Sequence, residues 1–229
     1  MIGVYDYTVI LTYLSLVSAC FGIAVSLSGA GHPYIGIFFL LFCGLLDAFD
    51  GKVARTKKNR TEHEKSFGIQ IDSFSDLVAF GVLPVCIGIA CLRVAPFAQN
   101  FSLFNLSLDY WYLKLPIILV MIFYVLAAMI RLAHFNVTEE VRQKSEGGVR
   151  KFYTGLPVTS ASIIFPSLML LQYIIPADLS FLYVPFLLIT GLCFLLKFSI
   201  PKFSMRGVLI MVGIGVLECI ALAAFILSR

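Results

Sequence analysis

A chain of 229 residues in which 60% of side chains are hydrophobic and only 13% are charged, with a mean hydropathy of +0.96, is not a water-soluble globular domain. Such domains are nearer half apolar and a quarter charged. The net charge of +4 is too small to define a partner, no nucleic-acid partner is expected, and the six cysteines form neither a CxxC pair nor a cluster with histidine, which argues against a zinc site or a disulfide framework.

Apolar runs of about 20 residues are long enough to cross a bilayer as helices. In chain order they fall roughly at 8–28, 34–55, 68–92, 114–135, 157–175, 181–197 and 206–227. The fifth and sixth are parted only by Pro176, Ala177, Asp178, Leu179 and Ser180. The runs are continuously apolar rather than alternating, which argues against a strand barrel. The expected fold is all-α: a polytopic transmembrane bundle of about seven spans, six to eight, forming a single domain over 1–229. The first run has no basic flank and no small-residue cleavage site, so it does not read as a signal peptide.

Basic residues alternate between the connections. Lys52, Arg55, Lys57, Lys58, Arg60 and Lys65 fall in 51–67, from the end of the second run to the start of the third. Arg142, Lys144, Arg150 and Lys151 follow the fourth, and Lys197, Lys202 and Arg206 fall in the 197–206 turn. The intervening connections carry almost none. The positive-inside bias places the first group on the cytoplasmic side of a cell membrane. Trp111, flanked by Tyr110 and Tyr112, suits the opposite interface as part of an aromatic belt.

At that cytoplasmic edge stand four aspartates. Asp47 and Asp50 are three apart, and Asp72 and Asp76 are four apart. On a helix each pair shares a face, one turn apart. Ionisable residues within a span are costly, about 3 kcal/mol each on insertion scales, so four near one level require a reason. One reading makes them helix ends dipping into water, with Asp50 paired to Arg55 and Asp76 acting as a cap. A second is a divalent-cation transporter; the neighbouring cations and the position away from mid-bilayer argue against it. The third is metal-assisted phosphoryl chemistry. Carboxylates suit a hard divalent cation, and such ions bridge a pyrophosphate and neutralise its developing charge. Gly51 permits close approach of a ligand, Ala54 keeps the same face shallow, and Arg55 can donate two parallel hydrogen bonds to a phosphate. Gly68 lies one turn before Asp72 and would let the second helix come close to the first. A carboxylate not taken up by metal can accept a proton from an attacking hydroxyl.

The pattern Asp47-x-x-Asp50-Gly51-x-x-Ala54-Arg55 followed by Gly68-x-x-x-Asp72-x-x-x-Asp76, within residues 34–92, resembles the signature of the CDP-alcohol phosphotransferase family. Twelve residues, 56–67, separate Arg55 from Gly68, a longer linker than is usual in that family. Three further runs resemble its serine-using, membrane-embedded branch: Leu77 to Pro84, Arg131 to Val137 (with His134 where that branch usually has arginine) and Phe152 to Pro157. The amino-terminal helix lacks the Pro-Asn start common in the family.

This resemblance implies a phospholipid-biosynthesis transferase that moves the phosphatidyl or archaetidyl group of a CDP-linked lipid to L-serine and releases CMP. It implies metal ligation by Asp47, Asp50, Asp72 and Asp76, with Mg²⁺ or Mn²⁺, two ions per site, and Asp76 also as general base. It places Asp50, Gly51, Ala54, Arg55 and Gly68 against the CDP-lipid, and by analogy it implies a homodimer. For the serine carboxylate, Arg131, Arg150 and Lys151 are candidates, with Asn136 and Thr154 for its ammonium or hydroxyl group; Asn136 read alone can equally be a helix cap. Glycerol 3-phosphate or inositol phosphate as acceptor would call for more cationic residues at the site.

Overall fold

The computed structural model describes residues 3–29, 33–95, 111–145, 152–174 and 180–201, with four isolated positions beyond. Helix α1 (Ile10–Ser28) and helix α2 (Pro33–Ala54) form an antiparallel pair. The face that α1 buries is made of small residues: Thr12, Ser15, Ser18, Ala19, Gly22 and Ser26. Small side chains let helix backbones approach closely where lipid gives no hydrophobic drive between helices. At Gly22 the approach is tight enough that a Cβ would stand 2.8 Å from the Cβ of Phe39. Ser18 Oγ donates to the Phe39 carbonyl, and Cys43 Sγ to that of Ser15.

The third element is a continuous rod from Glu62 to Val94, 33 residues long. It comprises α3 (Glu62–Asp76), a π-helical turn (Leu77–Val82) and α4 (Leu83–Val94). It begins six residues earlier than apolarity predicts, because Thr61 and Glu64 form a reciprocal capping box. Each side chain takes one of the first orphan amide donors, so the polar stretch 62–67 is helical outside the hydrocarbon. Helix α5 (Trp111–Ser145) likewise outruns its apolar segment, continuing ten residues past 135.

Helices α6 (Ala161–Ile174) and α7 (Tyr183–Leu195) are shorter. Between them they complete an aromatic core: Tyr124 of α5 meets Phe165 edge-on and Phe194 at a tilt, and Phe165 stacks on Tyr183. The outward face of α5, including Leu115, Leu119, Ile122 and Leu126, is exposed, as a lipid-facing surface requires.

Among the described residues, four helices are long and apolar enough to cross a membrane: α1, α2, the 62–94 rod and α5. The protein is an integral membrane protein. The fifth and sixth expected spans are apolar helices too short to count among these, and the seventh, 206–227, lies almost wholly outside the described residues. Among the described residues the helical expectation has one local exception. Strand β1 (Phe152–Thr154) pairs antiparallel with β2 (Ser199–Pro201), Thr154 opposite Ser199. This ladder turns the chain at Gly155, whose φ of +78° is the left-handed conformation that glycine adopts freely.

Candidate metal centre

Helix α2 ends at the membrane edge with Asp47 and Asp50, and α3 descends into it carrying Asp72 and Asp76. One carboxylate oxygen from each of Asp47, Asp50 and Asp72 lies within 4.8 Å of the others, and all three residues are half-buried. Asp50 and Asp72 face each other from the two helices within this distance. Two carboxylates so close need a shared proton or a cation between them. Asp76 stands one turn deeper, 8% exposed, outside this trio but within electrostatic reach of all three members.

The two bland roles for these residues find no support. Among the described residues the ion pairs are Lys57 with Asp6, Lys57 with Glu64 and Lys65 with Glu62, and none involves the four aspartates. Asp76 makes no side-chain capping hydrogen bond to the turn after it. Lys52 points elsewhere, its Nζ 4.9 Å from the centre of the Phe49 ring. An all-carboxylate donor set with no paired cation fits a hard divalent ion, which prefers oxygen ligands.

The remaining sequence candidates divide. Gly51 and Ala54 are half-buried on α2, and Arg55 is exposed just past its end. The space a Gly51 side chain would fill is bounded by the Arg55 guanidinium, 3.6 Å from an ideal Cβ. Gly68 is overlain by Arg60, whose Nη2 would lie 2.7 Å from a Cβ there, so the gap at Gly68 admits a guanidinium rather than the α2 backbone. Arg131 is buried in α5, donating from Nε to the Leu156 carbonyl at 2.9 Å and from Nη2 to that of Gly155 at 3.3 Å. It clamps the turn after β1. Asn136 does not cap α5, which runs on to Ser145; its Nδ2 donates to Ser73 Oγ at 2.7 Å, beside Asp72. Arg150, Lys151 and the Thr154 side chain lie outside the described residues.

Sequence reasoning missed the way the linker is fastened. Lys57 Nζ reaches Asp6 at 2.7 Å and Glu64 at 2.8 Å, joining the amino-terminal segment, the linker and the start of α3. Asp6 also accepts from the Thr8 amide and hydroxyl. With Lys57 as the main cause, its carboxyl is held down to about 2. Arg60 donates to the carbonyls of Ala54 and Glu64, tying the end of α2 to α3, and its Nε is buried without a partner among the described residues. Of this fastening, only the Thr61-x-x-Glu64 capping spacing is legible in the sequence.

A sequence model of the CDP-alcohol phosphatidyltransferase family matches residues 8–215. Over 151 residues the chain is 32% identical to a CDP-diacylglycerol–serine O-phosphatidyltransferase of Saccharomyces cerevisiae, covering 65% of this chain and 45% of that one. Over 172 residues it is 28% identical to an archaetidylserine synthase of Methanothermobacter thermautotrophicus, covering 75% and 62%. A Bacillus subtilis CDP-diacylglycerol–serine O-phosphatidyltransferase is 29% identical over 172 residues, covering 75% of both. The chain thus spans less than two thirds of the yeast and archaeal relatives. No solved structure matches it.

Proposed function

The chain belongs to the CDP-alcohol phosphatidyltransferase family, and on that premise we propose that it transfers the phosphatidyl or archaetidyl group of a CDP-activated lipid to L-serine, releasing CMP, as a step of phospholipid biosynthesis. The observation that carries this reading is the convergence of Asp47, Asp50 and Asp72 from the two helices bearing the family motif. The names of the relatives support serine as acceptor and leave the donor open to ester and ether lipids.

Asp47, Asp50 and Asp72, with Asp76 beside them, are assigned to hold divalent cations, Mg²⁺ or Mn²⁺, two per site. When bound, such ions polarise the pyrophosphate and neutralise charge on the departing CMP. Asp50, Gly51 and Ala54 form the shallow face against which the CDP group lies, Gly68 borders it beneath the Arg60 guanidinium, and Arg55 donates hydrogen bonds to its phosphate oxygens. Asp76, buried beneath the trio, takes the proton of the serine hydroxyl. The serine oxygen then bonds to the lipid-side phosphorus, the bridging phosphorus–oxygen bond breaks, and its electron pair leaves with CMP.

The acceptor is assigned to Arg131, Asn136, Arg150, Lys151 and Thr154. Asn136 has the best geometric support, since it reaches Ser73 next to a proposed metal ligand; Arg150, Lys151 and Thr154 rest on sequence alone. Residues 1–229 are read as one membrane domain, a homodimer by family analogy, with the centre facing the cytoplasm as the lysine and arginine bias favours.

The test is CMP release by the purified chain from CDP-diacylglycerol and from its archaeal ether counterpart, against a panel of serine, glycerol 3-phosphate, inositol phosphate and water, with and without EDTA. Serine-dependent release abolished by EDTA is expected. Release with a phosphorylated acceptor alone would replace serine, and cation flux into liposomes without any CMP release would overturn the transferase reading.

A further inference from the structure

The π turn Leu77–Val82 begins directly after Asp76, and it has a chemical cause at its far end. Pro84 has no N–H to return to the carbonyl of Phe80, four residues back, and in α geometry its ring would press on that carbonyl. Widening the turn relieves the clash: the Leu83 amide reaches back five residues to Val78. The Phe80 carbonyl is left in a site with no solvent, since Phe80 is 0% exposed. A buried carbonyl that loses its partner is strongly unfavourable, and in place of the amide that Pro84 lacks a hydroxyl from another helix bonds it. The hydroxyl of Tyr124 on α5, itself 0% exposed, donates to Phe80 O at 2.8 Å. Tyr183 on α7 makes the companion bond to the Pro84 carbonyl at 3.1 Å. Both tyrosine rings lean on Phe165.

An extra residue in one turn rotates the helix on its amino-terminal side against the helix on its carboxy-terminal side by about 100°. Here the amino-terminal side carries Asp72 and Asp76, and the carboxy-terminal side is the face of α4 buried through Leu83 and Ile87. The phase of that turn therefore decides whether Asp76 sits under the trio or swings aside. Turns of this kind recur at functional sites. We infer that Tyr124 is a positioning residue for the transfer reaction, its hydroxyl stabilising the π turn that aims Asp76 at the metal centre. It touches neither substrate nor cation. The inference rests on the reading of Asp76 as the base.

The test uses the full chain with CDP-lipid, serine and Mn²⁺, measuring CMP release alongside the thermal midpoint of unfolding. In Tyr124→Phe, kcat is expected to fall roughly 10- to 100-fold, the size of effect that small misplacements of a reacting group produce, while the KM for CDP-lipid stays near the wild-type value. Pro84→Ala with Tyr124→Phe restores an amide donor for Phe80. Its thermal midpoint is expected to recover while kcat stays low, because the restored bond favours α geometry. If kcat recovers together with stability, or if Tyr124→Phe turns over at the wild-type rate, the inference is overturned. Should Tyr124→Phe not fold, Pro84→Ala alone decides: a folded protein with lowered kcat supports the inference, and wild-type kcat removes it. A wild-type chain that releases no CMP overturns the functional reading itself, an outcome distinct from any of these.

Discussion

Replacing Asp72 by Asn separates the two things that three converged carboxylates do. Without a cation they repel. For unit charges no more than 4.8 Å apart, at an effective dielectric constant near 20, each pair is unfavourable by at least about 3 kcal/mol. Asp72 belongs to two of the three pairs. All three residues are half-buried, so screening and a shared proton reduce the relief on substitution to about 1–3 kcal/mol. In EDTA, Asp72→Asn is therefore expected to melt at or above the wild-type temperature. With cation the order reverses. A ligand at a hundred times its dissociation constant stabilises the folded state by about 2.7 kcal/mol, or roughly 5–10 °C for a chain of this size. Wild type should show that rise with Mn²⁺, and Asp72→Asn should show little of it and no turnover. Thermal unfolding in detergent, with EDTA and across a Mn²⁺ titration, reads both effects. An Asp72→Asn protein stabilised by Mn²⁺ as much as wild type would refute the shared site.

Asp76→Asn should lower kcat by about 10²–10⁴-fold, the usual contribution of a general base, while CDP-lipid still protects the protein thermally; near-normal turnover would end the base assignment. Arg131→Ala removes charged hydrogen bonds to the Gly155 and Leu156 carbonyls and should destabilise by about 2–3 kcal/mol, read as a lowered thermal midpoint, with a raised half-saturation for serine if the residue also serves the acceptor. Asp6 gives a pH signature. Its carboxyl is held down to about 2 in the folded chain, first by Lys57, against about 3.9 in an unfolded one. A depressed pKa contributes stability above the unfolded value that is lost as pH falls toward the folded one. The thermal midpoint of wild type minus that of Asp6→Asn should therefore be positive at pH 6 and shrink from about pH 4 down to pH 2; a difference flat across that window would remove the Lys57 clasp.

The long apolar helices and the aspartate motif were legible because each depends on local order: run length for the spans, a spacing of three or four for the carboxylate pairs. Helix α3 shows where that logic stops. Its polar first turns are helical because of a cap rather than an apolar face, so a hydropathy reading starts the span too late. Its spacing rule pairs Asp72 with Asp76, yet the trio draws Asp72 to α2 and leaves Asp76 a turn deeper. The linker clasp was illegible because Lys57 and Asp6 lie 51 positions apart, and a loop full of lysine and arginine reads equally well as topological charge. Asn136, plausible as a cap, became a contact to Ser73 only once α5 was seen to continue past it.

These ties bear on how a repulsive centre stays assembled before any ligand arrives. Mutual repulsion pushes α2 and α3 apart at the one level where their carboxylates meet. Above that level Arg60 bridges the last carbonyl of α2 to the first turns of α3, and Lys57 ties the same turns to the amino-terminal segment. Level with and below it, Asn136 holds Ser73 from α5, and Ser75 donates to the Thr12 carbonyl of α1. The charged fastenings lie in the linker and at the head of α3, and the neutral ones lie lower on α3, where an unpaired charge would be costly. This division explains why a linker of twelve residues need not loosen the site. The linker itself supplies Lys57 and Arg60, whose bonds tie the ends of the two aspartate-bearing helices together, so that the carboxylates are held close before any ligand arrives.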